Sequence, residues 1–150
     1  MKVHSQTDVG LVRTLNEDAC RTGLLGENGA WAVVCDGMGG ANGGEIASET
    51  AVKSIEEQIL ASYEEDFKSE EMKLMLSTLI FHANSAVYDM AQENESLKGM
   101  GTTIVVAIVL DNVAHIAHAG DSRAYWLHNG NIMQLSLIHI SEPTRRTPIS

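Results

Sequence analysis

Residues 31–35 (WAVVC) form an unbroken apolar run that ends on Asp36 and passes at once into Gly37-Met38-Gly39-Gly40. Apolar residues without alternation are the pattern of a strand covered on both faces. The segment therefore belongs inside a layered fold, and the carboxylate that follows it emerges at the edge of a core. A rigid strand end is where a catalytic or metal-binding group can be held accurately. Glycines allow tight turns and close backbone approach, so Gly37, Gly39 and Gly40 are expected to clear space beside Asp36 for ions and substrate. A hard cation such as Mg²⁺ takes oxygen ligands at about 2.0–2.1 Å and keeps several waters. An aspartate beside a backbone carbonyl meets that demand. An Asp-Gly pair by itself is more often an ordinary turn, so the reading depends on its company.

The rest of the pattern sets the fold class. Residues 1–12 read as an N-terminal strand and residues 13–18 as a polar turn. A helix opens at Glu45 and runs to about Tyr63, with Ile46, Thr50, Ile55 and Ile59 along one face. A second helix covers residues 70–92, where Met72, Leu76, Leu79, Ala83, Ala86, Val87 and Met90 recur at helical spacing; its methionines are expected in the core. Residues 102–110 (TTIVVAIVL) are rich in β-branched side chains. Asp111-Asn112 can make a two-residue hairpin turn into residues 113–119 (VAHIAHA). Gly120-Asp121-Ser122 turns the chain into residues 123–128 (RAYWLH), and Asn129-Gly130 signals another hairpin. Strands, two successive helices and then an antiparallel meander imply an α+β fold with helices stacked on a sheet, not alternating βαβ units. His115 and His118 point to opposite faces of their strand and share no metal site. Trp31 and Trp126 read as packing aromatics, and Arg123 as an ion-pair partner for a nearby carboxylate.

Composition excludes several classes. The chain of 150 residues is the size of one domain, and no apolar run approaches the roughly 20 residues of a membrane helix. Twenty acidic against ten basic residues give a net charge of −10, which argues against nucleic-acid binding. The start lacks the basic and apolar regions of a signal peptide. Two cysteines, Cys20 and Cys35, make no disulfide framework, so a reducing cytoplasm is the expected location.

The company of Asp36 is an ordered series: RTLNED at residues 13–18, VVCDGMGG at 33–40, Gly44-Glu45 with Ala47-Ser48, GTT at 101–103 and AGDSR at 119–123. This series resembles the metal-dependent protein phosphatase (PPM, or protein phosphatase type 2C) family, its bacterial branch most closely, over residues 1–134. The resemblance implies a four-layer α-β-β-α sandwich of two antiparallel sheets flanked by helix pairs, with a binuclear Mg²⁺ or Mn²⁺ centre and a third, weaker metal site. It implies that Asp36 bridges two metals, that Gly37 offers its carbonyl, and that Glu17 and Asp18 hold metal-bound waters or lie close to the metals. It further implies that Arg13 grips the substrate phosphate, that Asp121 serves the third site, and that Thr102 and Thr103 support the centre by hydrogen bonding. The implied activity is hydrolysis of phosphoserine and phosphothreonine in proteins by a metal-activated water, opposing a bacterial serine/threonine kinase.

The sequence departs from that pattern in two places. Some family members carry a histidine in the Asp-Gly loop, and here Met38 and Ala41 stand where it would be. The Asp-Gly and Asp-Asn motifs that supply metal ligands from the family's C-terminal half have no counterpart after position 36, since Asp111-Asn112 lies in a hairpin turn. Residues 135–150 (LSLIHISEPTRRTPIS) are read as a non-native tail, because LSLIHISEPTR resembles one reading frame of a sequencing adapter. The expectation is a truncated catalytic domain that is itself a poor catalyst. The alternatives are a catalytically silent relative acting as a binding or regulatory module, and a plain divalent-cation-binding domain. An intact Arg13 disfavours the last, since a mere cation site has no use for a cation beside it.

Overall fold

The computed structural model describes residues 1–135. Its centre is an antiparallel sheet of β1 (Asp18–Leu25), β2 (Gly29–Met38), β4 (Ile104–Leu110) and β5 (Val113–Ala119) in the order β1-β2-β4-β5. The short β3 (Gly101–Thr102) pairs with the far end of β2. Two helices, α1 (Gly43–Ser62) and α2 (Ser69–Glu93), pack on one face, and β6 (Tyr125–His128) with β7 (Asn131–Gln134) forms a separate two-stranded sheet. Two antiparallel sheets and one helix pair are thus present among the described residues, part of the expected sandwich.

The apolar run behaves partly as expected. Trp31, Val33, Cys35 and Gly37 are buried, and by the pleat they share the face turned to the helices. Val34 and Asp36 point the other way and are exposed. The helix-side core continues through Ile104, Val106 and Ile108 of β4 and Ile55, Ile59, Leu76 and Leu79 of the helices. Burying each such side chain contributes about 1.5–3 kcal/mol.

Both hairpins form at the expected residues. Asp111 and Asn112 have φ of 48° and 65°, and Asn129 and Gly130 have 49° and 77°. These are the left-handed values of a type I′ turn, whose twist matches that of the flanking strands. The helices also lie where expected, within two residues at each end.

Four expectations are corrected. Residues 1–12 form no strand; Leu11 and Val12 are almost fully exposed, and the first strand is β1. A few valines and leucines do not make a strand without a partner edge, whereas β1 pairs with β2 along its whole length. Consequently Asp18 is the first residue of a strand, not the end of a turn. The face of α1 that meets the sheet is built from Ala47, Ser48, Ala51 and Val52 besides Ile55 and Ile59, while Ile46 and Thr50 sit at its margin; small residues let helix and sheet approach. On α2, Met72 and Met75 are buried, but Met90 is exposed and Ala91 takes the core position. The last expected strand is shorter, starting at Tyr125, and Trp126 is half-exposed, stacked on His128 at 5.2 Å. The expected non-native tail lies outside the described residues, except Leu135, whose N–H donates to the Ala124 carbonyl.

Candidate functional site

The register of β1 on β2 places Asp18 directly opposite Asp36, both on the face away from the helices. Directly opposed residues of an antiparallel pair hold their Cβ atoms about 5 Å apart. Although Asp36 is exposed as a residue, partial loss of water around its carboxyl pushes it above its ordinary range; the charge of Asp18, a hydrogen bond with Asp18, and the charge of Asp121 raise it further, while Arg13 lowers it. Asp18 thus faces Asp36 across the strand pair, and the charge of Asp121, in the turn after β5, is felt at the same carboxyl.

The backbone of Asp36 is clamped. Its N–H donates to Thr103 Oγ1 at 3.0 Å, and its carbonyl accepts from the Thr103 N–H at 2.9 Å. Thr103 is buried, and its hydroxyl pairs with that of Ser122 at 2.6 Å. The β-branched run 102–110 is therefore not one strand: it breaks at Thr103, which turns to serve Asp36 while Thr102 pairs with Gly37. Thr102 donates to the Thr103 carbonyl at 3.0 Å and hydrogen-bonds the Cys35 thiol.

Glu17 sits at a junction. Its carbonyl accepts from the Gly37 N–H at 3.0 Å, and its carboxylate receives Arg13 Nη1 at 2.9 Å. The same carboxylate lies where a Cβ on Gly44 would be, at the first turn of α1. Helix N-termini favour negative charge, so the helix end and Arg13 both hold this side chain. Arg13 itself is largely exposed. Asp18 is anchored through its N–H to Asn16 Oδ1 at 3.0 Å.

Gly37 does different work from that expected. Gly37 is packed between the carbonyls of Gly44 and Glu17, so its missing side chain admits the start of α1. Gly40 faces open space. A groove of 600 Å³ beside Asp18 is lined by Asn16, Asn42, Glu45, Ser48 and Glu49 among others.

Among the described residues, no group of three or more His, Cys, Asp or Glu side chains is arranged to hold a metal ion. What is present is the facing pair Asp18–Asp36 with Asp121 acting on it. Oxygen-only donors whose mutual repulsion raises a carboxyl suit a hard divalent cation, so the residues fit such ions as part of a ligand set. Asp36, Asp18, Asp121, Thr103, Glu17 and Arg13 come together; Thr102 is turned toward Cys35. Ser122, Asn16 and Gly44 stand within the motifs around Asp36, but the motifs alone assign them no role at the site. A hydroxyl directly after Asp121 was the signal for the first.

The remaining polar candidates lie outside this cluster. Burial, with a smaller effect of the Lys73 charge, pushes the His115 imidazole down, and His118 Nδ1 is buried without a hydrogen-bond partner among the described residues. Arg123 donates to the Tyr125 hydroxyl at 3.4 Å and makes no ion pair within 4.0 Å among the described residues, although the Asp121 charge reaches it.

A family model described as "Protein phosphatase 2C" matches residues 12–147. The serine/threonine phosphatase stp of Listeria welshimeri is 35% identical across 93% of this chain and 56% of its own length. The crystal structure of the serine/threonine phosphatase Stp1 from Staphylococcus aureus superposes with a TM-score of 0.78 at 36% identity, covering 86% of this chain and 50% of that one. The catalytic domain of the serine threonine protein phosphatase PstP, solved with two manganese ions, gives a TM-score of 0.71 at 31% identity over 87% of this chain and 53% of that one. The chain spans about half the length of the relatives it matches.

Proposed function

The chain belongs to the protein phosphatase 2C family, and from that membership we propose that it forms the N-terminal half of a catalytic domain that hydrolyses phosphoserine and phosphothreonine in proteins, using two Mn²⁺ or Mg²⁺ ions. The observation that carries the reading is the facing pair Asp18–Asp36, whose negative charge is drawn together with that of Asp121 at one sheet end. The two manganese ions of the PstP structure support the choice of metal. In this reading Asp36, the Gly37 carbonyl and Asp18 would hold the two ions from this half of the ligand set, and Asp121 would serve a third, weaker site. Glu17 is tied to Arg13 and to the start of α1, so it acts by holding water near the ions and by orienting Arg13. Divalent ions bound there lower the pKa of water and offset charge on phosphoryl oxygens.

Arg13 carries the phosphate. A planar, permanently charged guanidinium makes paired hydrogen bonds to phosphate oxygens. Glu17 holds one corner of that guanidinium, Nη1, at 2.9 Å, while the Arg13 side chain stays largely exposed to solvent, where a phosphorylated side chain arrives. Asp36 is locked by Thr103 on both its N–H and its carbonyl, so the carboxylate is presented from a backbone that does not shift as charge develops. No helix among the described residues is long and apolar enough to cross a membrane; a cytoplasmic location, opposing a bacterial serine/threonine kinase, and a non-native origin for residues 135–150 belong to the same proposal.

The test is Mn²⁺-dependent hydrolysis of a phosphothreonine peptide by the gene's complete product. Asp36→Asn should cut kcat/KM by at least about 100-fold. Arg13→Ala should act mainly through KM. The 150 residues alone should turn over p-nitrophenyl phosphate poorly, since the described residues hold only part of a ligand set. Wild-type turnover by Asp36→Asn would remove Asp36 from the chemistry, and a complete product that binds phosphopeptide without hydrolysing it would favour the regulatory module.

A further inference from the structure

We infer that Ser122 is a positioning residue: through its hydroxyl bond to Thr103 it fixes the Asp36 backbone and, from the adjacent position, the placement of Asp121. The inference rests on the proposed site, but its geometry stands on the structure alone. Asp36, Thr103 and Ser122 come from three different strand ends: the end of β2, the break before β4, and the turn after β5. Two hydrogen bonds join them in sequence, Asp36 N–H to Thr103 Oγ1 at 3.0 Å and Thr103 Oγ1 to Ser122 Oγ at 2.6 Å.

The packing around this relay leaves little freedom. Gly120 has φ of 97°, and a Cβ there would meet Thr103 Cγ2 at 2.8 Å, so the turn before Asp121 lies directly on Thr103. A left-handed glycine and a hydroxyl bond thus hold the turn from both sides of Asp121. Thr103 is buried at 6% exposure, and its hydroxyl has one partner in Asp36 and another in Ser122. Removing the second leaves a buried hydroxyl with one bond unmade, which favours its rotation away from the Asp36 amide. Ser122 is therefore coupled to Asp36 although it need not touch a metal or a phosphate.

The experiment is native-state amide exchange on the metal-free 150-residue chain, with Mn²⁺ calorimetry on the complete product. In Ser122→Ala the Asp36 amide should exchange about fivefold faster, as expected for one net hydrogen bond, while the Val106 amide in the core of β4 keeps its rate. Ser122→Thr, which retains a hydroxyl, should restore the Asp36 rate. Thr103→Val should quicken Asp36 further, and adding Ser122→Ala to it should have no additional effect, because the relay is already cut. In the complete product, Ser122→Ala should loosen Mn²⁺ by a similar factor. An unchanged Asp36 amide in Ser122→Ala, equal acceleration at Val106, or additive effects in the double variant would each overturn the inference. If wild type takes up no Mn²⁺ that depends on Asp36, the proposed function falls while the exchange result still decides the relay.

Discussion

Gly37→Ala isolates the close approach on which the site is built. An added Cβ would fall 2.5 Å from the Gly44 carbonyl carbon and 2.6 Å from the Glu17 carbonyl oxygen, and it would overlap the Gly44 carbonyl oxygen. Carbon contacts settle at about 3.5–4.0 Å, so the first turn of α1 must retreat by about 1 Å. Both neighbours are backbone, and neither can rotate aside. Overpacking costs about 1–3 kcal/mol where side chains can adjust, and here the upper end applies. The Gly37 N–H bond to the Glu17 carbonyl, 3.0 Å long, stretches with the shift and adds about 1 kcal/mol. Loss of glycine's unfolded-state freedom returns about 0.4–1 kcal/mol. The net is about 3 kcal/mol, or about 9 °C in Tm for a chain of this size. Thermal melting by circular dichroism, with urea unfolding to confirm an unchanged slope, measures it. Gly40→Ala is the control: nothing lies within 4 Å of its Cβ, and its Tm should stay within about 2 °C of wild type. Equal shifts for the two variants, or a Gly37→Ala melt within about 2 °C of wild type, would refute the reasoning.

Two further outcomes follow from the titrating groups. Because the Asp36 carboxyl is raised in the folded state, a bound proton favours folding; that advantage is full below the ordinary carboxylate pKa and is lost as pH rises through the folded-state value. Asp36→Asn, which has no charge to develop, should therefore gain stability relative to wild type between about pH 3 and pH 7 in chelator, read as the urea midpoint; a gap that narrows with rising pH would contradict the assigned shift. Burial pushes the Cys35 thiol up to about 12, and its side chain is wholly enclosed, whereas Cys20 is half-buried. A chromogenic disulfide should titrate one thiol in the native chain and the second only on unfolding; two fast thiols would show the β2 core to be open.

The elements legible in the chain are those whose cause is local. Asp111-Asn112 and Asn129-Gly130 form their hairpins because these residues tolerate left-handed backbone wherever the chain places them. The stripe from Met72 to Val87 makes α2 recognisable because helical spacing is a property of neighbouring residues. Asp36 was legible because an apolar run ended on it, and the order of motifs around it marked the family. Residues 1–12 were misread because apolar content was taken for a strand with no partner in view. Ser122 and Gly44 went unseen as parts of the site because their roles depend on residues 19 and 27 positions or fewer away that no local pattern connects.

The residues alone thus settled the two helices, the two hairpin turns, and the types of oxygen-bearing group gathered around Asp36. Which carboxylates face one another was decided by pairing: Asp18 meets Asp36 only because β1 docks on β2 in one register, and a slip of one residue would turn Asp18 to the opposite face. Likewise Thr103 serves Asp36, and Glu17 meets the start of α1, because three strand ends and a helix converge there. Side-chain periodicity is written in adjacent residues, whereas convergence of distant strand ends is fixed only when the whole sheet closes and its core excludes water.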